Sequence, residues 1–286
     1  MATTFSTARE CALITGASSG IGYHLAREFA AKGHHLVLVA PDQAELDQIA
    51  TRLGDEFGVD VLPLGCDLEQ EDAASRILAA IADAGRVVEI LVNNAGHGHR
   101  GLFWQVPIAT HLSLLRLNVV AVLRLTAQVL PDLVARGRGR LLNVASVAGF
   151  EAGPTLAVYH ATKAFVLSWS EALAVELEDT GVSVTTLCPG PTDTDFFPKA
   201  GMLETRAFQK AALMAPQDVA AAGYTALMAG DRLVIPGAGN KAMVFARRFL
   251  TENAQAKMNE ALYQEVDPED RSRQRGDKER ETPARH

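Results

Sequence analysis

A tyrosine and a lysine stand four residues apart, at Tyr159 and Lys163, in a segment that predicts a helix over 155–180. Residues at this spacing lie on one face of a helix, one turn from each other. A free phenol has a pKa near ~10 and is a poor acid–base catalyst at neutral pH, but a nearby ammonium lowers that pKa. The pair therefore predicts general acid–base chemistry in a cleft. A solvated surface contact is the alternative interpretation.

A glycine-rich turn near the N-terminus predicts a pyrophosphate site. The apolar run Cys11–Thr15 predicts a buried strand and leads into Gly16-Ala17-Ser18-Ser19-Gly20-Ile21-Gly22, after which apolar residues recur with helical spacing. Glycines let the backbone approach a ligand closely, and the free N–H groups of a helix N-terminus attract negative charge. A purely structural tight turn is the alternative.

Acidic residues follow the next two predicted strands. Asp42 comes after the strand predicted over 35–40, and Asp67 after the strand predicted over 59–65. Asp42 could accept a hydrogen bond from the 2′-hydroxyl of an adenosine ribose, and Asp67 from the adenine amino group. Each could equally be the N-cap of the helix that follows.

Predicted strands and helices alternate along the rest of the chain. Strands are predicted over 87–92, 140–145, 182–188 and 232–235, and helices over 42–57, 72–84, 107–136 and 217–229. Asn94, Gly96 and Ser146 stand at strand ends, and Asn118 lies in an apolar helical stretch where its amide must find partners. The alternation predicts a single α/β domain with a doubly wound, Rossmann-like parallel sheet.

The composition is that of an ordinary globular protein. Of the 286 residues, 48% are hydrophobic and 21% charged, and the net charge of −7 gives no general attraction to nucleic acid or anionic membranes. Cys11, Cys66 and Cys188 are odd in number and fall in or beside predicted strands, which favours packing roles in a reducing compartment. No secretory signal and no apolar run of about 20 residues is present. We expect a cytoplasmic protein without a membrane span, a nucleic-acid partner or a metal site.

The segment 191–215 is rich in apolar residues and follows the strand predicted over 182–188. Ligands of open α/β sheets bind beyond the carboxyl ends of strands, and a long connection there is often a lid. We therefore expect a bulky, largely apolar substrate. Its pocket is expected to be lined by His97, Ser146, Phe150, Tyr159 and Phe196.

The C-terminal part predicts a helix over 239–265 and then changes character. Residues 267–286 carry acidic and basic residues in equal number and almost no apolar side chains. Such a segment cannot offset the entropy that is lost on ordering. The sequence predicts a folded domain over 1–266 and a disordered tail over 267–286.

Several of these motifs occur together in one known family. In chain order they are Thr15-Gly16-x-x-x-Gly20-x-Gly22, Asn93-Asn94-Ala95-Gly96, Asn118, Ser146, Tyr159-x-x-x-Lys163 and Pro189-Gly190. Over roughly residues 9–235 the chain resembles the short-chain dehydrogenase/reductase family in its compact, single-domain form. The resemblance implies a catalytic tetrad of Asn118, Ser146, Tyr159 and Lys163.

The resemblance also implies a role for each member of the tetrad. Tyr159 would give a proton to a ketone oxygen or take one from an alcohol, and Lys163 would lower the pKa of the phenol and bond the nicotinamide ribose. Ser146 would hold the substrate oxygen, and Asn118 would position a water that links Lys163 to solvent. Hydride transfer itself would belong to the nicotinamide.

The implied cofactor is NAD(H) or NADP(H). The residues expected to bind it are Gly16, Ser18, Ser19, Gly20, Ile21, Gly22, Asp42, Asp67, Leu68, Asn94, Ala95, Gly96, Tyr159, Lys163, Pro189, Gly190, Thr192 and Thr194. Many relatives with a similar glycine turn carry basic residues where this chain has Pro41 and Asp42. Because no cation stands there to bind a 2′-phosphate, we favour NAD(H).

The resemblance implies an oxidoreductase that interconverts a secondary alcohol and a ketone. The stretch 234–241 resembles the branch that reduces hydrophobic ketones, of the 3-oxoacyl or hydroxysteroid class. A cofactor-sensing protein without catalysis, and a dehydratase or epimerase of the same fold, are the alternatives.

Family members commonly pair through the helices that carry the asparagine and the tyrosine. Both predicted helices are rich in apolar positions, so we expect a homodimer or homotetramer. The residues expected to form the shared face are Leu123, Val129, Leu133, Phe165, Trp169 and Leu173.

Overall fold

Seven parallel strands form one sheet in the computed structural model, which describes residues 10–281. The strands are β1 (Cys11–Thr15), β2 (His35–Ala40), β3 (Val61–Gly65), β4 (Val88–Asn93), β5 (Gly139–Val144), β6 (Val182–Leu187) and β7 (Leu233–Val234). Their order across the sheet is β3-β2-β1-β4-β5-β6-β7. The predicted doubly wound parallel sheet in a single domain is confirmed.

Helices connect the strands and cover both faces of the sheet. They are α1 (Gly20–Ala31), α2 (Gln43–Phe57), α3 (Ala73–Asp83), α4 (Ile108–Leu115), α5 (Ala121–Arg136), α6 (Ala157–Glu176), α7 (Phe196–Lys199), α8 (Arg206–Gln209), α9 (Pro216–Ala229), α10 (Ala238–Ala246), α11 (Glu252–Leu262) and α12 (Asp277–Glu281). One face of the sheet carries α1, α2 and α9, and the other carries α3, α5 and α6. Because side chains alternate along a strand, Leu13 packs in one layer and Ile14 in the other. Both are fully buried, which explains the continuous apolar run in the sequence.

The strand order reverses at β1. The chain builds β2 and β3 on one side of β1 and β4 to β7 on the other. Such a reversal opens a crevice at the carboxyl ends of the strands, because the two connections leave in opposite directions. The glycine turn after β1 meets the residues after β4 there, and Asn94 Nδ2 donates to Thr15 O at 2.8 Å.

A π-helical turn, Arg116–Val120, joins α4 to α5 inside the helix predicted over 107–136. By length and composition, Ile108–Arg136 is the one helix within residues 10–281 that could cross a membrane. A core helix of a globular domain can pass the same test, and this helix packs against the sheet, α3 and α6. The expected absence of a spanning segment therefore stays a prediction.

The helix predicted over 239–265 is two helices. α10 ends at Ala246, and α11 begins at Glu252 after a 3-10 turn. Thr251 is the N-cap of α11, since it has an extended backbone and its hydroxyl accepts from Ala254 N at 3.3 Å. A capped start gives the second helix its own axis, which the helical periodicity of the segment does not reveal.

Residues 267–281 contact the domain, while the final five residues of the predicted tail lie outside the described part of the chain. Gly276 N and Lys278 N each donate to the carboxylate of Asp193 at 2.9 Å. Asp193 is fully buried. Charge-assisted hydrogen bonds to a buried carboxylate need no apolar side chains, so they can hold a segment of this composition. The disorder expected over 267–286 stays a prediction.

Candidate active site

A cavity of about 410 Å³ opens at the carboxyl ends of the strands, and residues that follow β1 to β6 all contribute to its wall. The predicted site residues on this wall are Gly16, Ser18, Ser19, Gly20, Ile21, Gly22, Asp67, Leu68, Asn94, Ala95, Gly96, His97, Ser146, Tyr159, Lys163, Pro189, Gly190, Thr192, Thr194 and Phe196. Asp42, Asn118 and Phe150 were also predicted and do not line it.

The glycine turn forms one end of the cavity. Gly16 has a φ of +64°, and a Cβ on Gly22 would stand 2.0 Å from Gly16 O, so a side chain at either position would disrupt the turn. α1 begins just beyond, and no side chain caps its first N–H groups. These open donors and the helix dipole fit a pyrophosphate, so the site fits a nicotinamide dinucleotide.

Tyr159 and Lys163 project from α6 into the middle of the cavity. Lys163 Nζ donates to Val144 O at 2.8 Å and lies 5.9 Å from the centre of the Tyr159 ring. Ser146 follows β5 and also lines the cavity, and its Oγ accepts from Ala148 N at 3.1 Å. The end of β5 and one face of α6 thus bring the three side chains to the same place.

Burial dominates the protonation of the pair. It raises the pKa of the Tyr159 phenol to about 12, while a hydrogen bond with Ser146 acts in the opposite direction. Burial also lowers the pKa of the Lys163 ammonium to about 8, against the raising effect of Cys188. Lys163 Nζ donates to Val144 O, and the expected lowering of the phenol pKa by Lys163 stays a prediction. Tyr159 is therefore a neutral phenol at neutral pH.

Asn118 does not line the cavity and instead connects two segments that form its wall. Its Oδ1 accepts from His97 N at 3.0 Å, and its Nδ2 donates to His97 O at 2.9 Å and to Thr162 Oγ1 at 3.1 Å. Both N–H groups of the amide are therefore used to tie the loop after β4 to α6. This explains how a polar amide is satisfied at 1% exposure. The expected water between Asn118 and Lys163 stays a prediction.

Both acidic residues accept hydrogen bonds from residues close by in the chain, but only Asp42 caps a helix, because α3 begins at Ala73 with Asp72 at its N-cap position. Asp42 Oδ1 accepts from Glu45 N at 3.0 Å at the start of α2, and the side chain does not reach the cavity. The capping interpretation is the one the structure shows for Asp42. Asp67 lines the cavity and accepts from Glu69 N at 2.9 Å and from Gln70 Nε2 at 3.1 Å. These hydrogen bonds lower the pKa of its carboxyl.

The predicted substrate residues separate into two groups. The Phe196 ring lies 5.0 Å from the Tyr159 ring, and His97 Nε2 lies 3.1 Å from Ser113 Oγ, both on the cavity wall. Phe150 does not line the cavity. It ends the 3-10 turn after Ser146, packs against a separate apolar cluster and lies 5.5 Å from the Arg247 guanidinium.

The C-terminal wall of the cavity consists of residues that no sequence motif predicted. Met243 of α10, Asn259 and Leu262 of α11 and the following Tyr263 all line it. The only signal for these residues was the apolar periodicity of a predicted helix, which does not say what the helix covers. They lie about a hundred positions beyond Tyr159, so local sequence could not place them.

Cysteine or metal chemistry has no support at the cavity. Cys11, Cys66 and Cys188 are free and buried, and burial raises the pKa of each thiol. A protonated thiol is a poor nucleophile and a poor ligand, so packing is their role. Among residues 10–281, no group of three or more His, Cys, Asp or Glu is placed to hold a metal ion.

The sequence profile described as short chain dehydrogenase matches residues 10–204, well over half of the chain. The protein belongs to the short-chain dehydrogenase family. This family consists of oxidoreductases that act on CH–OH and keto groups with nicotinamide cofactors. The predicted family is confirmed.

Individual members of the family show how far the likeness extends. A very-long-chain 3-oxoacyl-CoA reductase of Pyrenophora tritici-repentis is 40% identical over 187 residues, which are 64% of this chain and 54% of that protein. The chain thus matches little more than half the length of this curated relative. A short-chain dehydrogenase from Sphingobium yanoikuyae in complex with NADPH is 35% identical, with a TM-score of 0.75 over 90% of this chain and 99% of that chain. A bulky-bulky ketone specific alcohol dehydrogenase from Comamonas testosteroni is 32% identical, with a TM-score of 0.72 over 85% and 93%.

Proposed function

We propose that this protein interconverts a ketone and a secondary alcohol on a bulky, largely apolar substrate, with NAD(H) or NADP(H) as cofactor. The observation that carries the proposal is the convergence of Tyr159, Ser146 and Lys163 on one cavity that also contains the glycine turn. A bound nicotinamide supplies or takes the hydride. The names of the fungal 3-oxoacyl-CoA reductase and the bulky-ketone dehydrogenase support a substrate of the 3-oxoacyl or hydroxysteroid class.

Proton transfer is the part that the protein's own residues perform. The neutral phenol of Tyr159 gives its proton to the ketone oxygen in reduction, which is typically worth about 10²–10⁴-fold in rate. Ser146 Oγ donates to Pro189 O at 3.4 Å, and such a long bond is easily exchanged for one to a substrate oxygen. In the reverse direction Tyr159 must first lose its own proton before it can take one from the alcohol, and a pKa of about 12 makes that loss harder.

The apolar wall supports a bulky substrate. It is formed by Leu156, Phe196, Phe197, Met202, Ala207, Leu262 and Tyr263. The charged lining residues are Asp67, Glu69, Glu151, Lys163, Asp195 and Lys199. Asp67 and Glu69 follow β3 at the cofactor end, and Lys199 is exposed. A small charged substrate would therefore find few compensating partners, whereas each buried methylene adds up to about 0.8 kcal/mol of binding.

A turnover screen tests the function. Homologous ketones of increasing chain length or ring count are assayed with NADH and with NADPH, and kcat/KM is expected to rise with size before levelling off. A flat series, or a preference for small charged substrates, contradicts the apolar pocket. Cofactor binding without turnover of any ketone or alcohol would support the cofactor-sensing alternative instead.

We further propose that NAD(H) binds at least as well as NADP(H). Pro41 is the lining residue just beyond β2, and neither it nor Asp42 offers a positive charge to a 2′-phosphate. Pro41→Arg should shift the ratio of dissociation constants toward NADP(H), measured by fluorescence titration. Asp42→Asn is the control, because asparagine also caps helices and should leave the ratio nearly unchanged. A strong native preference for NADP(H) would contradict the proposal.

We also propose a homodimer or homotetramer built on α4 and α6, with the participating residues revised. Val129, Leu133 and Leu173 are buried in the protein's own core, so they cannot form an interface. Leu112, Leu115 and Phe165, by contrast, are exposed. These two helices contact each other, so their exposed apolar residues can form one surface.

A cytoplasmic location is proposed on the ground that the three free thiols suit a reducing compartment. Fractionation of producing cells should recover the protein with the soluble contents. Recovery with the membranes would contradict this location and would direct attention to Ile108–Arg136.

A further inference from the structure

The end of α11 and the residues after it close the substrate side of the cavity. Asn259 Nδ2 donates to Ala152 O at 2.9 Å, which ties α11 to the loop after β5. Arg100 Nε donates to Tyr263 O at 3.1 Å, which ties the chain to the loop after β4. Val266 N donates to Glu204 O at 2.8 Å, in the segment between α7 and α8. Three separate loops thus hold this segment, which gives the cavity a fixed wall.

The side chain of Tyr263 is held from a fourth direction, by His160. His160 Nδ1 lies 2.7 Å from Glu151 O, which can only accept, so Nδ1 carries the hydrogen. His160 Nε2 is then an acceptor, and it receives the Tyr263 hydroxyl at 2.8 Å. The imidazole is 3% exposed and both its nitrogens are satisfied. A buried phenol needs such a partner, and this one fixes the position of the ring.

The fixed ring lines the same cavity as Tyr159. Tyr263 lines the cavity and packs in the same apolar cluster as Tyr159 and Phe196. His160 follows Tyr159 directly on α6, so the helix that carries the proton donor also carries the residue that holds the wall. The position of the Tyr263 ring relative to Tyr159 is therefore fixed by α6 and by the single hydrogen bond between His160 and Tyr263.

We propose that Tyr263 sets the upper size limit of the substrate and that His160 is its positioning residue. A ketone whose oxygen is held by Tyr159 and Ser146 must fit its larger substituent between α7 and the Tyr263 ring. A short substituent leaves space at this wall, and an overlong one meets a ring that cannot move without losing its hydrogen bond. This proposal rests on the proposed ketone chemistry and identifies the residue that limits the size of the ketone.

Substitution of the ring tests the size limit. Tyr263→Ala and the milder Tyr263→Leu are assayed on the same homologous ketones as the wild type, with thermal melting to show that each is folded. Below the limit, each added buried methylene should raise kcat/KM by about fourfold. We call the ketone length at which kcat/KM stops rising the levelling point. In both variants the levelling point should move to longer ketones, and the longest ketones should have a higher kcat/KM than with the wild type. An unchanged levelling point in a folded variant overturns the proposal.

Removal of the hydrogen bond tests the positioning role. Tyr263→Phe keeps the ring and loses the bond, so KM should rise about fivefold while kcat stays nearly constant. His160→Ala should raise KM less in the Tyr263→Phe background than in the wild type, because the shared bond is already absent. Fully additive effects overturn the role of His160.

Tyr224→Phe is the matched control. Its hydroxyl lies 3.0 Å from His34 Nε2, the same kind of bond, between α9 and the segment before β2 and away from the cavity wall. This variant should leave KM and the levelling point unchanged, and an effect equal to that of Tyr263→Phe would overturn the assignment.

Calorimetric titration of the same ketones separates the two hypotheses. A wild type that turns over no ketone defeats the proposed function. The size limit is then read from binding, and it must still move in Tyr263→Ala for the inference to stand.

Discussion

At the scale of single residues, Tyr159 carries its proton until the pH is well above neutral, because burial raises the pKa of its phenol to about 12. Tyr159→Phe keeps the ring, including its contact with Phe196, and removes only the proton donor. We expect kcat for ketone reduction to fall by roughly 10²–10⁴-fold. The cofactor dissociation constant, measured by fluorescence titration, should change little. Near-normal turnover in this variant would show that another group supplies the proton.

The shifted pKa of Lys163 makes the free energy of unfolding depend on pH. Its pKa is about 8 in the folded protein against 10.5 ordinarily, so between these values the unfolded chain binds more protons than the folded protein. The free energy of unfolding contributed by this residue should therefore rise with pH over that window. Urea unfolding of the wild type and of Lys163→Met at pH 7.5 and pH 10 tests this, because the other titrating groups are common to both proteins. The wild type should gain stability relative to the variant, and a constant difference would contradict the prediction.

At the scale of elements, residues 275–278 of the C-terminal segment contact Asp193 in the loop that follows β6, and we call this set of contacts the clasp. The carboxylate of Asp193 is fully buried and accepts hydrogen bonds from Gly276 N and Lys278 N. The Arg275 guanidinium forms an ion pair with it at 3.5 Å. Thr192 and Thr194 flank it and line the cavity, so the clasp fixes a piece of the cofactor wall. A buried carboxylate is costly without such partners.

Asp193→Asn should lower the free energy of unfolding by about 1–3 kcal/mol, since one N–H then faces an amide N–H rather than an acceptor. Removal of residues 267–286 should lower the free energy of unfolding more in the wild type than in Asp193→Asn. The reason is that the variant lacks the negative charge that the segment neutralises. Asp270→Asn, in an exposed pair with Lys210, is the control and should cost less than about 0.5 kcal/mol. Equal costs in the two backgrounds would contradict the clasp.

At the scale of the whole molecule, the exposed apolar residues of α4 and α6 predict self-association. Leu115→Glu combined with Phe165→Glu places charges on this surface and should convert an oligomer into a monomer, measured by light scattering at micromolar concentration. Val87→Glu is the control, since Val87 is exposed and apolar but follows α3 at the other end of the sheet. A monomeric wild type would contradict the proposed assembly.

Much of the fold followed from the sequence because its signals are local. The run Cys11–Thr15 is apolar throughout since both faces of β1 are buried, and the glycine turn must keep its glycines since Gly22 approaches Gly16 O closely. Tyr159 and Lys163 share a face by helical spacing alone. These features depend on residues that are neighbours in the chain, so they can be read without the fold.

Tertiary structure decided the features that depend on distant partners. The pKa of Tyr159 follows from burial, and the contacts of residues 276 and 278 follow from the buried carboxylate of Asp193. Tyr263 and His160 lie 103 positions apart, and no pattern near either residue reveals the other. Burial and side-chain direction are properties of the packed molecule. The sequence alone therefore determined the family and placed Tyr159 and Lys163 on one helix face, and packing decided their protonation and the shape of the cavity wall.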